Sequence, residues 1–344
     1  MKQSKVSIII TTWNGRSYIE NCLQSVLAQV GFSYLPESSD NLLDILIIDN
    51  NSGDGTVDFI KEQFGDKLKV VINKQNVGFS RGYNQGIHWT SGRYVLVLNQ
   101  DVYLHKNFLI EGINFLDTYS KVGAVNPHIY RWQDNNQNLM VDSLGLEFNN
   151  IFQFHNISEG QIEEKNKTSE IKPVFGFTGT AVLLRRSALY DTAFDHQFFD
   201  EDFFSYKEDV DLSWRLRWRN WDIVYLPQMK AWHKRSVTNE SNHLNDWGII
   251  GQYRKKSNFV NLLSYRNHIF LLIKNLPLKL FFKYLLPILF YESKKVIYLL
   301  FTSPNILLAA WRDIFRQRNS LKAKRKFIMQ NKKINSLSLL IWLK

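Results

Sequence analysis

Apolar positions along the first 125 residues fall into short Val- and Ile-rich runs, separated by stretches in which they recur every three or four residues. Runs of the first kind suit strands buried on both faces and stretches of the second kind suit helices packed on a sheet, so the alternation predicts a parallel sheet built from βα units. Strands are predicted over residues 6–11, 45–49, 68–73, 94–98 and 123–126, with helices over 17–28, 56–64, 80–90 and 107–119. Residues 131–172 are polar, Asn-rich and without a sustained period, and read as an excursion or lid. Regular patterning resumes with a strand over 180–184, helices over 187–192 and 210–220, and a strand over 222–226. From residue 248 onward the pattern changes to long, aromatic-rich helices studded with Lys and Arg. The expected organisation is an α/β unit over residues 1–240 and a helical, basic, amphipathic extension over 241–344.

Composition narrows the class. The chain of 344 residues is 44% hydrophobic with only 7 Pro and 17 Gly, which excludes global disorder and a collagenous repeat. Its single cysteine, Cys22, excludes an internal disulfide framework and a thiolate cluster for zinc, and a reducing compartment is the simplest home. The net charge of +11 is unevenly spread: residues 1–230 carry 22 basic and 28 acidic side chains, whereas residues 231–344 carry 21 and 4. Such asymmetry points to a polyanionic partner, either nucleic acid or anionic lipid head groups. No run approaches the roughly 18–20 apolar residues of a membrane-spanning helix. Residues 6–10 follow Lys2 and Lys5, yet fall short of a signal-peptide core and read as the first strand.

In open parallel sheets ligands bind at the carboxyl ends of the strands. Here those ends are polar: Thr11-Thr12-Trp13-Asn14-Gly15, then Asp49-Asn50-Asn51-Ser52-Gly53-Asp54-Gly55, then Asn99-Gln100-Asp101. Gly53 and Gly55 by themselves read as an ordinary turn, and Asp49 and Asp101 taken singly fit helix capping as well as chemistry. A second acidic cluster follows Phe203 and Phe204, with Glu208, Asp209 and Asp211 at the start of a helix. Carboxylates favour that end of the helix dipole, but the preceding aromatics would also desolvate them, which raises basicity and suits a general base.

Together these segments resemble the inverting glycosyltransferases of family 2, which have the GT-A fold, and most closely the bacterial rhamnosyltransferase-like members. The resemblance covers about residues 5–240 and is carried by residues 6–14, 47–55, 76–86, 98–101 and 203–217 in that order. It implies a Rossmann-like, mostly parallel sheet that binds a nucleotide-sugar donor. Asp49 then matches the contact to the base, with Thr11, Asn14 and Asn51 lining the same pocket. Asn76, Gly78 and Arg81 match the segment beside the diphosphate, followed by Asn99 and Gln100. Asp101 matches the last residue of the metal motif for Mg²⁺ or Mn²⁺, and His233 resembles a downstream histidine that contacts metal or diphosphate. The first aspartate of that motif is replaced by Asn99, which can coordinate but adds no charge. Asp209 occupies the position of the general base, while Gly179, Thr180 and Glu208 match the acceptor side.

In the tail, Leu278, Phe281, Phe282, Leu285, Leu286 and Leu289 recur at helical spacing, with Pro287 expected to kink the helix. This region reads either as a helical subdomain packed on the core or as a peripheral anchor on an anionic membrane surface. The whole is expected to be a cytoplasmic enzyme, peripheral on the inner face of the plasma membrane. Its expected reaction moves a sugar, with rhamnose from dTDP-rhamnose the best fit to the resemblance, onto a polyprenyl-diphosphate-linked glycan. A catalytically weak nucleotide-sugar-binding subunit and a nucleic-acid-binding protein are the rival readings, although no nucleic acid is expected.

Overall fold

The computed structural model describes residues 6–32, 43–65, 68–132, 139–163, 169–235 and 257–344. Strands β1 (Val6–Thr12), β2 (Leu43–Asp49), β3 (Lys69–Ile72) and β4 (Tyr94–Asn99) alternate with helices α1 (Ile19–Leu27), α2 (Thr56–Phe64) and α3 (Gly78–His88). The short β5 (Val102–Leu104) leads into α4 (Phe108–Thr118) and the long β6 (Val122–Arg131). Next come β7 (Val141–Ser143), β8 (Leu146–Phe148), β9 (Phe154–Asn156), β10 (Lys172–Pro173) and β11 (Ala181–Arg185). Helices α5 (Arg186–Thr192) and α6 (Glu208–Trp218) then precede β12 (Asp222–His233). The main sheet runs β10-β12-β6-β11-β4-β1-β2-β3, with β5 and β7 paired at its flank.

The β1–β4 half is parallel, as the repeating βα pattern predicts. Both faces are covered, so Val6, Ile8 and Ile10 of β1 join one hydrophobic cluster with α1 and α4 while Ile9 joins another with α3. Two features differ from the sequence expectation. Strand β11 lies antiparallel between β4 and β6, so the fifth strand is not the direct neighbour of the fourth. The stretch 131–172 also contributes β7, β8 and β9 and buries Val141, Leu144, Leu146, Phe148 and Phe152. Strands of three residues are too short to leave a period-two signal in the sequence.

Helices α7 (Asn258–Asn275), α8 (Leu278–Lys283), α9 (Leu285–Thr302), α10 (Pro304–Arg316) and α11 (Arg318–Asn331) form the C-terminal region. The break between α8 and α9 lies at Tyr284, because Pro287 cannot donate to the carbonyl of Lys283. The region packs on the sheet half through a shared cluster, in which Phe203, Val210, Trp214 and Trp218 meet Phe270, Leu271, Leu280 and Ile328. Much of the apolar stripe anticipated in α8 and α9 points away from that cluster: Leu278, Phe282, Leu286 and Leu289 are exposed, whereas Leu280 and Ile288 are buried. Among the described residues no helix is long and apolar enough to cross a membrane.

Candidate active site

The loops after β1 and β2 are knitted into one rim. The Asn14 amide donates to Ser52 Oγ at 2.9 Å and Asn14 Oδ1 accepts from the Gly53 amide at 2.9 Å. Gly15 donates to Thr56 Oγ1 and Arg16 to Asp54 Oδ2. Asn14 and Asn51 both adopt positive φ, which lets the chain turn back at the rim. Asp49 is fully buried and its carboxylate accepts from the amide and hydroxyl of Ser52, at 2.9 and 2.6 Å, so it shapes this rim from beneath. Gln100 braces the rim in the same way, since its Oε1 accepts from Thr12 Oγ1 at 2.5 Å and from the Trp13 amide at 3.0 Å. Trp13 itself stays 54% exposed at the mouth.

Helix α3 starts beside the ends of β1 and β2. Asn76 Oδ1 accepts from the Gly78 amide at 2.9 Å, and Asn50 Nδ2 donates to the Gly78 carbonyl at 3.3 Å. Gly78 is required here: its φ is +82°, and a Cβ would stand 2.5 Å from the Phe204 carbonyl oxygen. One turn on, a Cβ at Gly82 would meet Thr11 Cγ2 at 2.9 Å, which fixes how close α3 lies to the end of β1. Arg81 is exposed beside Glu201, at 3.8 Å.

Asp101 and His233 come together from the loop after β4 and the last residue of β12, with Oδ2 and Nε2 3.4 Å apart. The other ring nitrogen, Nδ1, lies 2.9 Å from Asp142 Oδ2. Burial opposes charge on this imidazole, yet the two flanking carboxylates raise it to about 9. Asp142 is itself held below the usual carboxylate range by His233, Arg235 and Arg131, against the effect of burial. Asn99 Oδ1 lies 3.4 Å from the Tyr83 hydroxyl, and the Asn99 amide donates to the Thr180 carbonyl. Among the described residues no group of three or more His, Cys, Asp or Glu side chains is arranged to hold a metal ion. At this point Asp101 and the His233 imidazole face one another, and Asp142 orients the ring from behind. That arrangement fits a hard cation whose remaining positions are filled by diphosphate oxygens and water.

Asp209 lies in the first turn of α6. Its Oδ2 accepts from the Gly179 amide at 2.9 Å and its Oδ1 from the Val210 amide at 2.7 Å. A Cβ at Gly179 would touch the Phe79 ring at 3.0 Å and Asp209 at 3.4 Å, so the turn before β11, α3 and the carboxylate meet at one point. Burial pushes the Asp209 carboxyl above its ordinary range, more than the amide hydrogen bonds lower it. Glu208 is buried, with Oε2 lacking a hydrogen-bond partner among the described residues, and burial together with Asp209 pushes it well above the ordinary range. Thr180 is buried, with its hydroxyl 3.1 Å from that of Thr178.

The segment leading to Asp209 is bent out of ordinary backbone conformations. Phe204, Tyr206 and Lys207 all have positive φ, and the Ser205 amide donates to the Phe203 carbonyl at 2.7 Å in a three-residue turn. Such conformations cost of order 1–3 kcal/mol each and persist only when the surroundings enforce them. The enforcement comes from α7. Asn267 Nδ2 donates to the carbonyls of Phe203, Ser205 and Tyr206, and Arg266 donates to those of Asp202 and Phe203. Asp142, Arg266 and Asn267 are absent from the sequence-derived site because they lie tens of residues from any motif and only folding brings them there.

The comparisons with known proteins fit this geometry. Over 230 residues the chain is 26% identical to the poly-beta-1,6-N-acetyl-D-glucosamine synthase of Staphylococcus epidermidis, an alignment covering 66% of this chain and 49% of that protein. Over 248 residues it is 22% identical to the N-acetylglucosaminyl-diphospho-decaprenol L-rhamnosyltransferase of Mycobacterium tuberculosis, covering 67% of this chain and 76% of that one. It thus spans about half the length of the first of these curated relatives. The crystal structure of GalNAc-T7 with UDP, GalNAc and Mn²⁺ superposes with a TM-score of 0.55 at 12% identity, over 79% of this chain and 48% of that one, and shares the fold. The family model described as glycosyl transferase family 2 matches residues 7–192. That match takes in β1 through α5, including the β1, β2 and β4 strand ends and the start of α3, and with the GT-A-like sheet it shows that the chain belongs to glycosyl transferase family 2.

Proposed function

We propose that this protein is an inverting glycosyltransferase that moves a sugar from a nucleotide-diphosphate donor to a hydroxyl of a lipid-linked saccharide, with Asp209 as the general base. The observation that carries the reading is the Asp209 carboxylate. It is half-buried, of raised basicity, positioned by the Gly179 and Val210 amides, and adjacent to the start of α3 through Phe79. Attack by the acceptor hydroxyl on the face of the sugar opposite the nucleotide needs one base and inverts the anomeric centre.

The rim built by Asn14, Ser52 and Gly53 over Asp49 receives the nucleoside, with Thr11 and Asn51 beside it. Asn76, Gly78 and Arg81 at the start of α3 flank the diphosphate, where the exposed Arg81 guanidinium offsets negative charge. Asp101 and His233 would hold Mg²⁺ or Mn²⁺, and Asn99 and Gln100 shape that turn. When bound, the ion neutralises charge that grows on the leaving diphosphate. Asp142 keeps the His233 ring turned towards Asp101. Gly179, Thr180 and Glu208 line the acceptor side.

The Mycobacterium relative is named for rhamnose transfer to a decaprenol-linked sugar, which supports a dTDP-rhamnose donor and a polyprenyl-diphosphate acceptor for this chain. The exposed apolar stripe of α8 and α9 supports action at the cytoplasmic face of an anionic membrane. Asp209→Asn tests the assignment: transfer should fall by about 10²–10⁴-fold while nucleotide binding, followed by calorimetry, stays near that of the unaltered protein. Normal turnover in this variant would remove Asp209 from the role.

A further inference from the structure

One groove in the C-terminal region takes no part in the chemistry above. Helix α11 carries Lys322, Arg325 and Lys326 on one face, at spacings of three and four residues, and Lys332 follows directly after its last turn. Leu278 and Lys279, at the start of α8, face them, and the chain after α11 closes the far side around a space of about 680 Å³. Five basic side chains line the groove and no carboxylate does. Lys279, Lys322 and Lys326 are exposed and form no ion pair among the described residues.

Other cations of the same helices are treated differently. Lys274 and Lys324 are buried against Asp200, Asp202 and Asp211. Arg325 is shared between the two uses: its guanidinium donates to the Ile273 and Leu276 carbonyls at 2.6 and 2.8 Å, which fixes α11 against the end of α7 and sets the groove's width. Like charges at i and i+4 on a helix repel, so Lys322 and Lys326 oppose the helix that carries them unless an anion lies between.

The surface next to the groove is apolar. Leu278, Phe282 and Leu286 are 61%, 67% and 79% exposed and follow one another at intervals of four. A soluble phosphate would use the cations and leave this row in water. An anionic bilayer uses both, because phosphate lies at the level of the head groups and the acyl layer lies directly beneath.

We propose that the groove holds the head-group phosphate of an anionic lipid while Leu278, Phe282 and Leu286 enter the acyl layer, which fixes how the protein sits on a membrane. This deepens the membrane reading given above and rests on it.

The test is flotation of the whole chain with phosphatidylcholine vesicles and with vesicles that also contain phosphatidylglycerol. Two variants accompany it: Lys279→Gln with Lys322→Gln and Lys326→Gln, and Phe282→Ser with Leu286→Ser. All five positions are exposed, and thermal melting verifies that both variants fold. The unaltered protein should float with the anionic vesicles only, the lysine variant should bind them on the order of a hundredfold more weakly, and the apolar variant should also lose binding. Equal binding by the lysine variant overturns the groove and leaves the membrane reading standing, whereas no binding by the unaltered protein overturns both. Full vesicle binding by the apolar variant overturns insertion of the apolar row and, with it, the bilayer as occupant.

Discussion

Helix α6 separates two regions that handle carboxylates in opposite ways. On the side facing Gly179, Glu208 and Asp209 are desolvated, neither forms an ion pair among the described residues, and both are held above the ordinary carboxylate range. On the side facing α7, Asp211 is fully buried between Lys274 and Arg215, and those cations hold it below that range despite burial. Asp200 is treated as Asp211 is, with Lys274 and Lys324 as partners. Pairing makes a carboxylate structural, because its charge is already neutralised. Burial without a cationic partner leaves it able to take a proton, and the proposed function assigns the chemistry to a carboxylate of this second kind.

The comparison can be broken at several points, and after the loss of transfer expected of Asp209→Asn the largest effect falls on the paired side. Lys274→Met leaves two buried carboxylates short of a partner, and should cost about 3–5 kcal/mol of stability by chemical denaturation. An unchanged midpoint would mean that the ion network does not hold α7 to α6. Gly78→Ala comes next, at about 1–3 kcal/mol, since the new Cβ meets both positive φ and the Phe204 carbonyl. Its transfer rate should fall with stability, because Phe204 belongs to the bent segment before Asp209; a stable but inactive variant would separate the two.

Acidification gives the most gradual effect. His268 and Lys295 hold Glu292 down to about 2 against burial, from an unfolded value near 4.5. Its contribution is present above the unfolded value and is lost as pH falls through the folded one, so the midpoint should drop between about pH 4.5 and 2. Asp200 and Asp211 act in the same direction. Asp209 and Glu208 act in the opposite direction and at higher pH, since protonation at their raised values relieves the penalty of burying them charged before this window is reached. Stability independent of pH over this window would contradict the assignment of the paired set.

The charge imbalance between the halves of the sequence takes on a more specific meaning in the same light. Part of it is internal, because Lys274 and Lys324 neutralise acids of the sheet half. Another part faces outward in the groove beside Leu278. Composition sums these two uses, and only burial distinguishes them.

Much of the sheet was legible from the chain because strands buried on both faces leave continuous apolar runs and βα units repeat them. Strands β1, β2 and β4, together with the polar turns that follow them, were therefore readable, as was the acidic start of α6. The antiparallel insertion of β11 was not readable, because its pairings with β4 and β6 join residues far apart in the chain, which no local pattern records. The support of the candidate site was also invisible: Asp142 behind His233, and Arg266 and Asn267 beneath the segment before Asp209. A motif records residues that must stand in a fixed order along the backbone. Residues that orient a ring or hold a bent loop need only arrive at the right place in space, and that is decided by packing between elements remote in the chain.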